Sequence, residues 1–178
     1  QSRGTWTGNI ANGSPAADGV PVLMAYDAQV HLTSRTGTRS VPLSDYYTGY
    51  RASVKRPDEL ITAIELPRRT YDFAVFHKVG PRRAQAITKV GLALVHEVGG
   101  AAGTGGVWRI VANSAAPTVR RCPAVERLVT SGTPIRSPDD FRFAAAQDIT
   151  PIDDIRSTAD YRMTVFCRLL YHSLRGHT

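Results

Sequence analysis

The first half of the chain alternates short apolar runs with turn-forming segments. Residues 1–18 suggest a loop and a helix start near Pro15, which suits a first helical turn. Residues 20–28 form an apolar run that fits either a buried helix or a buried strand, because a run this short does not separate the two. Residues 28–32 alternate apolar with polar side chains, and the pattern resumes at 40–43 after turn-rich residues, which predicts a β-hairpin.

The middle of the chain is rich in strand patterns. Residues 60–66 predict a strand that Pro67 ends. Residues 71–78, 86–98 and 107–113 predict three antiparallel strands, and their short connections favour a meander. In the last of these, apolar side chains at alternate positions predict one face that packs under helices. They are Trp108, Ile110 and Ala112.

The C-terminal third carries helix signals. Pro123 and Pro138 suit first helical turns, and Ser137 is placed to cap the second of them. Residues 157–174 give the clearest helical period, and we expect their apolar stripe to lie against the sheet. The stripe consists of Tyr161, Val165 and Leu169, flanked by Phe166 and Leu170. These patterns predict an α+β fold with a three-stranded antiparallel sheet and about three helices.

Composition narrows the class of protein. With 178 residues and 42% hydrophobic content, the chain can bury a core. It has no apolar stretch of membrane-spanning length and no N-terminal signal pattern, so we expect no membrane association and a cytoplasmic location. Cys122 and Cys167 stand far apart without ligand spacing, and the five histidines form no metal or nucleophile pattern, which predicts no metal site.

The net charge of +7 raises nucleic acid as a partner. The basic residues occur as isolated pairs, without the aromatic interleaving of a nucleic-acid surface, so we expect no nucleic-acid binding. An anionic cofactor, an acidic partner subunit and a plain solvated surface all fit the charge. The glycine-rich residues 99–106 lack the spacing of a nucleotide loop and predict a flexible hairpin loop.

The most informative segment is residues 7–18, TGNIANGSPAAD, followed by the apolar run. A turn containing glycine lets backbone N–H groups approach a phosphate, and Asn, Ser and Asp side chains offer further hydrogen bonds. On these residues alone, a plain loop is an equally good interpretation. Two further segments, residues 43–67 and 76–90, favour the phosphate-binding interpretation because of the family that all three segments resemble.

The three segments, in this order, resemble the flavin subunits of the molybdenum hydroxylase family. Residues 7–18 are similar to the second flavin-binding segment, residues 43–67 to the end of the flavin domain, and residues 76–90 to the start of the C-terminal domain. Residues 154–162 resemble the start of the last helix. The resemblance implies an incomplete flavin-binding half-domain over residues 1–67, followed by a CO dehydrogenase flavoprotein C-terminal-like domain over residues 68–178.

The resemblance implies a set of cofactor-binding residues. Thr5, Thr7, Gly8 and Asn9 match the phosphate and ribityl turn. Asp18 matches the acidic residue of the segment, Ile61 an apolar ring contact, and Lys78 a basic residue near the flavin; Asn12 and Ser14 are second-rank candidates. Without the resemblance, Lys78 also fits a solvent-facing strand end. Two features depart from the family pattern: Thr7 replaces a glycine, and Arg82, Arg83 and Gln85 occupy a loop that is often acidic.

The implied function is an FAD-binding component that relays electrons from an iron–sulfur centre through FAD to NAD or another acceptor. The implied partners are a molybdenum-binding large subunit with molybdopterin and a 2Fe–2S subunit or domain. Because the family's glycine-rich pyrophosphate loop has no match before residue 1, we expect a C-terminal part that is inactive and holds FAD weakly when alone. A non-catalytic docking module of such a complex is the alternative.

Overall fold

A computed structural model describes residues 3–99 and 106–176, and it has an α+β fold, as the sequence predicts. The helices in this part of the chain are α1 (Trp6–Asn12), α2 (Gly19–Ala25), α3 (Leu43–Tyr46), α4 (Pro123–Thr130), α5 (Arg142–Asp148) and α6 (Ala159–Leu174), with a 3-10 helix over Pro138–Phe141. The strands are β1 (Gln29–Ser34), β2 (Gly37–Pro42), β3 (Tyr47–Gly49), β4 (Ala52–Ser53), β5 (Leu60–Glu65), β6 (Tyr71–Val79), β7 (Val90–Glu97), β8 (Val107–Asn113) and β9 (Arg120–Arg121).

The N-terminal region combines two short helices with a small sheet. The ambiguous apolar run is helix α2, and a separate helix, α1, ends before Pro15, so the expected helix start at Pro15 is wrong. The predicted hairpin is confirmed as β1 and β2, which pair from Gln29 with Pro42 to Ser34 with Gly37. Strand β5 pairs with the other edge of β1 and gives a sheet in the order β2-β1-β5.

The second sheet has the predicted antiparallel meander plus one strand more. Its order is β6-β7-β8-β9, and β9 adds a fourth strand of two residues to the three that the sequence predicts. Arg120 and Arg121 are too few and too polar to leave a strand signature in the sequence. The predicted flexible loop at 99–106 falls almost entirely outside the described residues.

Both faces of strands β7 and β8 are buried, whereas the sequence predicts one buried face. On one face, Leu92 and Ile110 pack against the C-terminal helices. On the other, Val95 and Val111 join a core that includes Leu23 of α2. The prediction of a single buried face is wrong because it takes Arg109, on the second face of β8, for a solvent-exposed residue. In the structure this residue is only 4% exposed.

Arg109 is buried within a network of ion pairs that joins the two regions. Its guanidinium lies 2.6 Å from Asp27 Oδ2, in the turn after α2, and 2.6 Å from Glu97 Oε2, at the end of β7. Arg69 contacts the same two carboxylates, at 3.0 and 2.8 Å. Its hydrogen bond to Glu97 is the largest effect that holds the pKa of that carboxyl below its ordinary value. Paired charges of this kind are tolerated at buried positions.

Helix α6 confirms the predicted C-terminal helix, and the predicted stripe faces the core except at Tyr161. The buried positions include Arg162, Phe166 and Leu170, while Tyr161 is 42% exposed. Val165 and Leu169 are partly buried and pack against the same core as Phe166 and Leu170. The centre of the buried face lies at the flanking residues Phe166 and Leu170, and it includes Arg162, which the sequence does not predict to be buried.

Candidate functional site

The most polar junction of the fold centres on Asp18. Lys78, near the end of β6, places Nζ 2.6 Å from Asp18 Oδ2. The Thr88 hydroxyl donates to Asp18 Oδ1 at 2.5 Å, and Asn113 Nδ2, at the end of β8, lies 3.4 Å from the same oxygen. Side chains from three distant parts of the sequence, around residues 18, 78–88 and 113, therefore meet at one carboxylate, which we call the Asp18 junction.

The Asp18 junction lies at the boundary between core and solvent. Thr88 and Asn113 are fully buried, whereas the side chains of Asp18 and Lys78 are 40% and 31% exposed. Asn113 Oδ1 is buried and has no hydrogen-bond partner in the part of the chain that is described. The buried side orients the carboxylate, and the exposed side leaves the ion pair accessible to a ligand.

Asp18 is committed to this junction instead of capping its own helix. It occupies the N-cap of α2 but makes no side-chain cap hydrogen bond there. Aspartate is among the preferred N-cap residues, so the orientation gives up an ordinary local interaction for contacts with β6 and β8. Sequence reasoning identified Asp18 and Lys78 and missed Thr88 and Asn113. A polar residue directly after an apolar strand, as at Asn113, is the signal that could have revealed the latter.

The opening segment is a helix start, not the glycine turn that the sequence suggests. Thr5 caps α1, and its Oγ1 accepts a hydrogen bond from the Gly8 N–H at 2.9 Å. A Cβ on Gly8 would lie 2.9 Å from this oxygen, so a larger residue there would require the Thr5 hydroxyl to shift. Thr7 lies within helix α1 and is not among the described non-glycine residues with a positive φ angle. The replacement of the family's glycine by threonine therefore causes no backbone strain at this position.

The first turn of α1 offers exposed hydroxyl groups, and its first N–H groups point the same way as in an anion site. The first N–H groups of a helix favour anions, although here the Gly8 N–H already donates to Thr5 Oγ1 and the Asn9 N–H to the Thr5 carbonyl. The hydroxyls of Thr5 and Thr7 lie 3.2 Å apart on the same turn, and Thr5 and Gly8 are exposed. The residues present therefore fit a phosphate or hydroxyl-rich chain.

Asn9 links this helix to the Asp18 junction. A Cβ on Gly19 would lie 3.0 Å from Asn9 Oδ1 and 3.5 Å from the Trp6 ring, so α1 packs closely on the residue that follows Asp18. The other end of α1 is held by Tyr47, whose hydroxyl donates to the Ile10 carbonyl at 3.0 Å. Burial raises the pKa of this Tyr47 hydroxyl well above its ordinary value, so it remains a neutral donor.

The remaining predicted residues lie at varying distances from the junction. Ile61 is half-buried on β5, which runs beside α1. Asn12 is exposed at the last position of α1, about 9 Å along the axis from Trp6. Ser14 lines a separate cleft at that far end. The structure therefore groups Asn9, Asp18 and Lys78 and separates Asn12 and Ser14 from them.

A basic cleft of about 660 Å³ adjoins Lys78 and is formed by the end of β6 and the loop that follows. Arg82 stabilises this loop from within, because its guanidinium donates to the carbonyls of Ala84 and Gln85 at 3.0 and 2.9 Å. A Cβ on Gly80 would lie 2.6 Å from the Ala86 Cβ, so the loop closes only with glycine there. Arg83 also lines the cleft, which gives the surroundings of Lys78 a positive character.

The described residues also bear on metals and membranes. No group of His, Cys, Asp or Glu side chains in residues 3–99 and 106–176 is arranged to hold a metal ion. Cys122 and Cys167 are buried and unpaired. None of the helices in the described part of the chain combines the length and the apolar character that crossing a bilayer requires.

Comparison with known proteins gives two family matches that together span most of the chain. Residues 1–69 match the FAD-binding domain in molybdopterin dehydrogenase. Residues 74–176 match the CO dehydrogenase flavoprotein C-terminal domain. The second match alone covers more than half of the chain.

Individual relatives agree with these matches. The xanthine dehydrogenase FAD-binding subunit of Escherichia coli O157:H7 is 26% identical over 162 residues, which is 89% of this chain and 55% of that subunit. Subunit alpha of the 6-hydroxypseudooxynicotine dehydrogenase complex of Paenarthrobacter nicotinovorans is 27% identical over 185 aligned positions, covering 98% of this chain and 59% of that subunit.

A solved structure extends the likeness to the fold. In carbon monoxide dehydrogenase from Oligotropha carboxidovorans, one chain superposes with a TM-score of 0.82 at 26% identity, over 97% of this chain and 60% of that chain. Our chain thus spans between 55% and 60% of the length of these relatives. The family matches, the relatives and the shared fold show that the chain belongs to the FAD-binding subunits of the molybdenum hydroxylases, the family of xanthine dehydrogenase and carbon monoxide dehydrogenase.

Proposed function

We propose that this chain forms part of an FAD site in a molybdenum hydroxylase complex that passes electrons from a 2Fe–2S centre through FAD to NAD or another acceptor. The partners would be a molybdenum-binding large subunit, which holds the molybdopterin, and a 2Fe–2S subunit or domain. The observation that carries the proposal is the Asp18 junction, where Lys78 meets the segment that begins with α1. FAD, when bound, supplies the redox chemistry of such a subunit.

The residues of the chain divide into two roles. Thr5, Thr7, Gly8 and Asn9 would bind the phosphate and ribityl parts through the exposed first turn of α1. Lys78 and Asp18 would face the polar edge of the ring, and Ile61 would offer an apolar contact. The positions of Asn12 and Ser14, at the other end of α1, support their roles least.

Lys78 would act on the flavin through its charge. Its ammonium group is already paired with Asp18, so the net charge of the junction depends on both groups. A differential interaction of about 1.4 kcal/mol with the reduced ring would raise a two-electron potential by about 30 mV. Thr88 and Asn113 would fix the Asp18 carboxylate, and through it the position of Lys78.

We further propose that the 178-residue polypeptide by itself holds FAD weakly and has no dehydrogenase activity, because it spans less than two thirds of its relatives. The test is titration of FAD into the purified chain, followed by quenching of flavin fluorescence. We expect weak, saturable binding that Lys78→Met weakens further and Arg35→Gln leaves unchanged. Arg35→Gln is the matched control, since this substitution also removes one positive charge, but from the exposed hairpin turn.

Three results would contradict parts of the proposal. Purification of a yellow chain with stoichiometric flavin would refute weak binding. An equal loss in both variants would show a general charge effect instead of a role for Lys78. Complete absence of binding, even at the highest FAD concentration tested, would show that this chain does not contain the FAD site.

A further inference from the structure

A second cleft, of about 510 Å³, lies at the C-terminal end of α1. It is formed by four stretches of chain, within residues 14–16, 50–51, 114–117 and 152–162. Its volume falls within the range of about 300–1,000 Å³ that is usual for small-molecule sites. None of its lining residues takes part in the Asp18 junction, so it is a separate feature.

The cleft carries unbalanced positive charge. Its lining contains three guanidinium groups, from Arg51, Arg156 and Arg162, and one carboxylate, Asp154. Arg162 is only 4% exposed, and it donates to Asp154 Oδ1 at 2.6 Å. The more exposed Arg156 lies 3.3 Å from Asp154 Oδ2, so one carboxylate faces two of the three guanidinium groups. Arg51 forms no ion pair with any carboxylate among the described residues. An anion is the ligand that this balance favours.

Two lining residues hold an uncommon backbone conformation. Arg51 and Ser114 have φ angles of 53° and 60°, and they are two of the four non-glycine residues with positive φ in the described part of the chain. The Ser114 conformation is fixed by its N–H, which donates to the Pro15 carbonyl at 2.8 Å, and by its carbonyl, which accepts from Arg162 at 2.6 Å. Such conformations cost free energy and cluster at ligand sites.

The rim of the cleft is apolar and exposed. Tyr50 is 63% exposed and Ile152 is 62% exposed. The Arg51 guanidinium lies 5.7 Å from the centre of the Tyr50 ring, so the aromatic surface and the free positive charge are adjacent. A ligand that joins an anionic group to a flat apolar body would contact both.

We propose that this cleft binds a small organic anion, a carboxylate or phosphate attached to an aromatic or apolar body. Arg51 and Arg156 bind the anionic group, the buried Arg162 supplies positive charge at the wall, and Tyr50 and Ile152 cover the apolar part. This site is distinct from the Asp18 junction and shares only Ser14 with the residues named for FAD. It adds a second ligand to the chain, and it does not depend on the redox function.

Calorimetric titration with phenyl phosphate tests the proposal on the 178-residue chain. We expect one molecule to bind per chain, more tightly than inorganic phosphate does, because phosphate alone gains nothing from Tyr50 and Ile152. Arg51→Asn and Arg156→Gln should each weaken binding by about tenfold or more, the loss expected for one charge-assisted hydrogen bond. Asparagine is chosen because it tolerates positive φ. Arg35→Gln, with the same change in charge, should bind as the parent chain does.

Competition with FAD and with an acidic peptide defines the ligand of this cleft. Saturating FAD should leave phenyl phosphate binding unchanged, whereas displacement would assign the cleft to the FAD site and overturn the proposal. An absence of saturable binding, or an equal loss in Arg35→Gln, would also overturn it. Arg51-dependent binding of a poly-glutamate peptide without binding of phenyl phosphate would replace the small ligand with an acidic segment of a partner protein.

Discussion

Replacing Thr88 with valine isolates one hydrogen bond of the Asp18 junction. Valine keeps the shape of the fully buried side chain and removes only the hydroxyl that donates to Asp18 Oδ1 at 2.5 Å. A hydrogen bond to a charged group contributes about 1.5–3 kcal/mol to stability. Because the Asp18 side chain is 40% exposed, water replaces part of the lost interaction. We therefore expect Thr88→Val to lower the free energy of unfolding by about 1 kcal/mol.

Urea unfolding measures this loss, and a double-mutant cycle assigns it to the pair. Thr88→Val, Asp18→Ala and the double variant should give a coupling energy of about 1 kcal/mol, since each single variant removes the same hydrogen bond. Thr38→Val is the matched control. Its hydroxyl pairs with Thr33 at 2.9 Å on the exposed hairpin, and its loss should change stability by less than about 0.5 kcal/mol.

Two outcomes would refute this reasoning. A coupling energy near zero would show that Thr88 is buried without stabilising Asp18. A loss in Thr88→Val no larger than that in Thr38→Val would show that burial adds nothing to the interaction. In either case the buried side of the junction would not orient the carboxylate.

Two further predictions concern charges elsewhere in the fold. Arg162→Leu should lower the free energy of unfolding, measured with urea, by about 3 kcal/mol, because Asp154 and the Ser114 carbonyl lose a buried donor. The control Arg168→Leu, on the exposed face of α6, should lower it by less than about 0.5 kcal/mol. Equal effects of the two substitutions would contradict the role of Arg162. Hydrogen bonds from Arg39, and then from the Arg56 N–H, lower the pKa of Glu59 to about 2. The stability from this carboxylate is therefore present above its ordinary pKa of about 4.5 and should be lost as the pH falls toward about 2, so unfolding of Glu59→Gln should depend less on pH across that interval.

The extent to which the sequence predicts this fold depends on how local each feature is. The β1–β2 hairpin is recoverable because a short turn and strand alternation set its register. The burial of Arg162 on α6 is not, because this residue looks like a surface residue until Asp154 and Ser114 are seen to bind it. Strand β9 is too short for any periodic signal.

The candidate site shows the same limit. Asp18 and Lys78 are 60 positions apart, and only the family resemblance associates them before the structure shows their contact. Thr88 and Asn113 carry no motif, and their importance arises from burial against a carboxylate that a distant segment supplies. The strained residues Arg51 and Ser114 are equally invisible in the sequence, since neither residue type suggests positive φ.

The burial of strands β7 and β8 on both faces has a consequence for how the polypeptide can be divided. Val95 and Val111 are covered by a core to which α2 belongs, although α2 lies in the region that matches a different family model. Separating the chain between residues 69 and 74 would expose this apolar surface to solvent and would leave Arg109 without its ion pair to Asp27. The two halves therefore depend on each other for stability, and two polypeptides divided at this point would have to associate to form a stable protein.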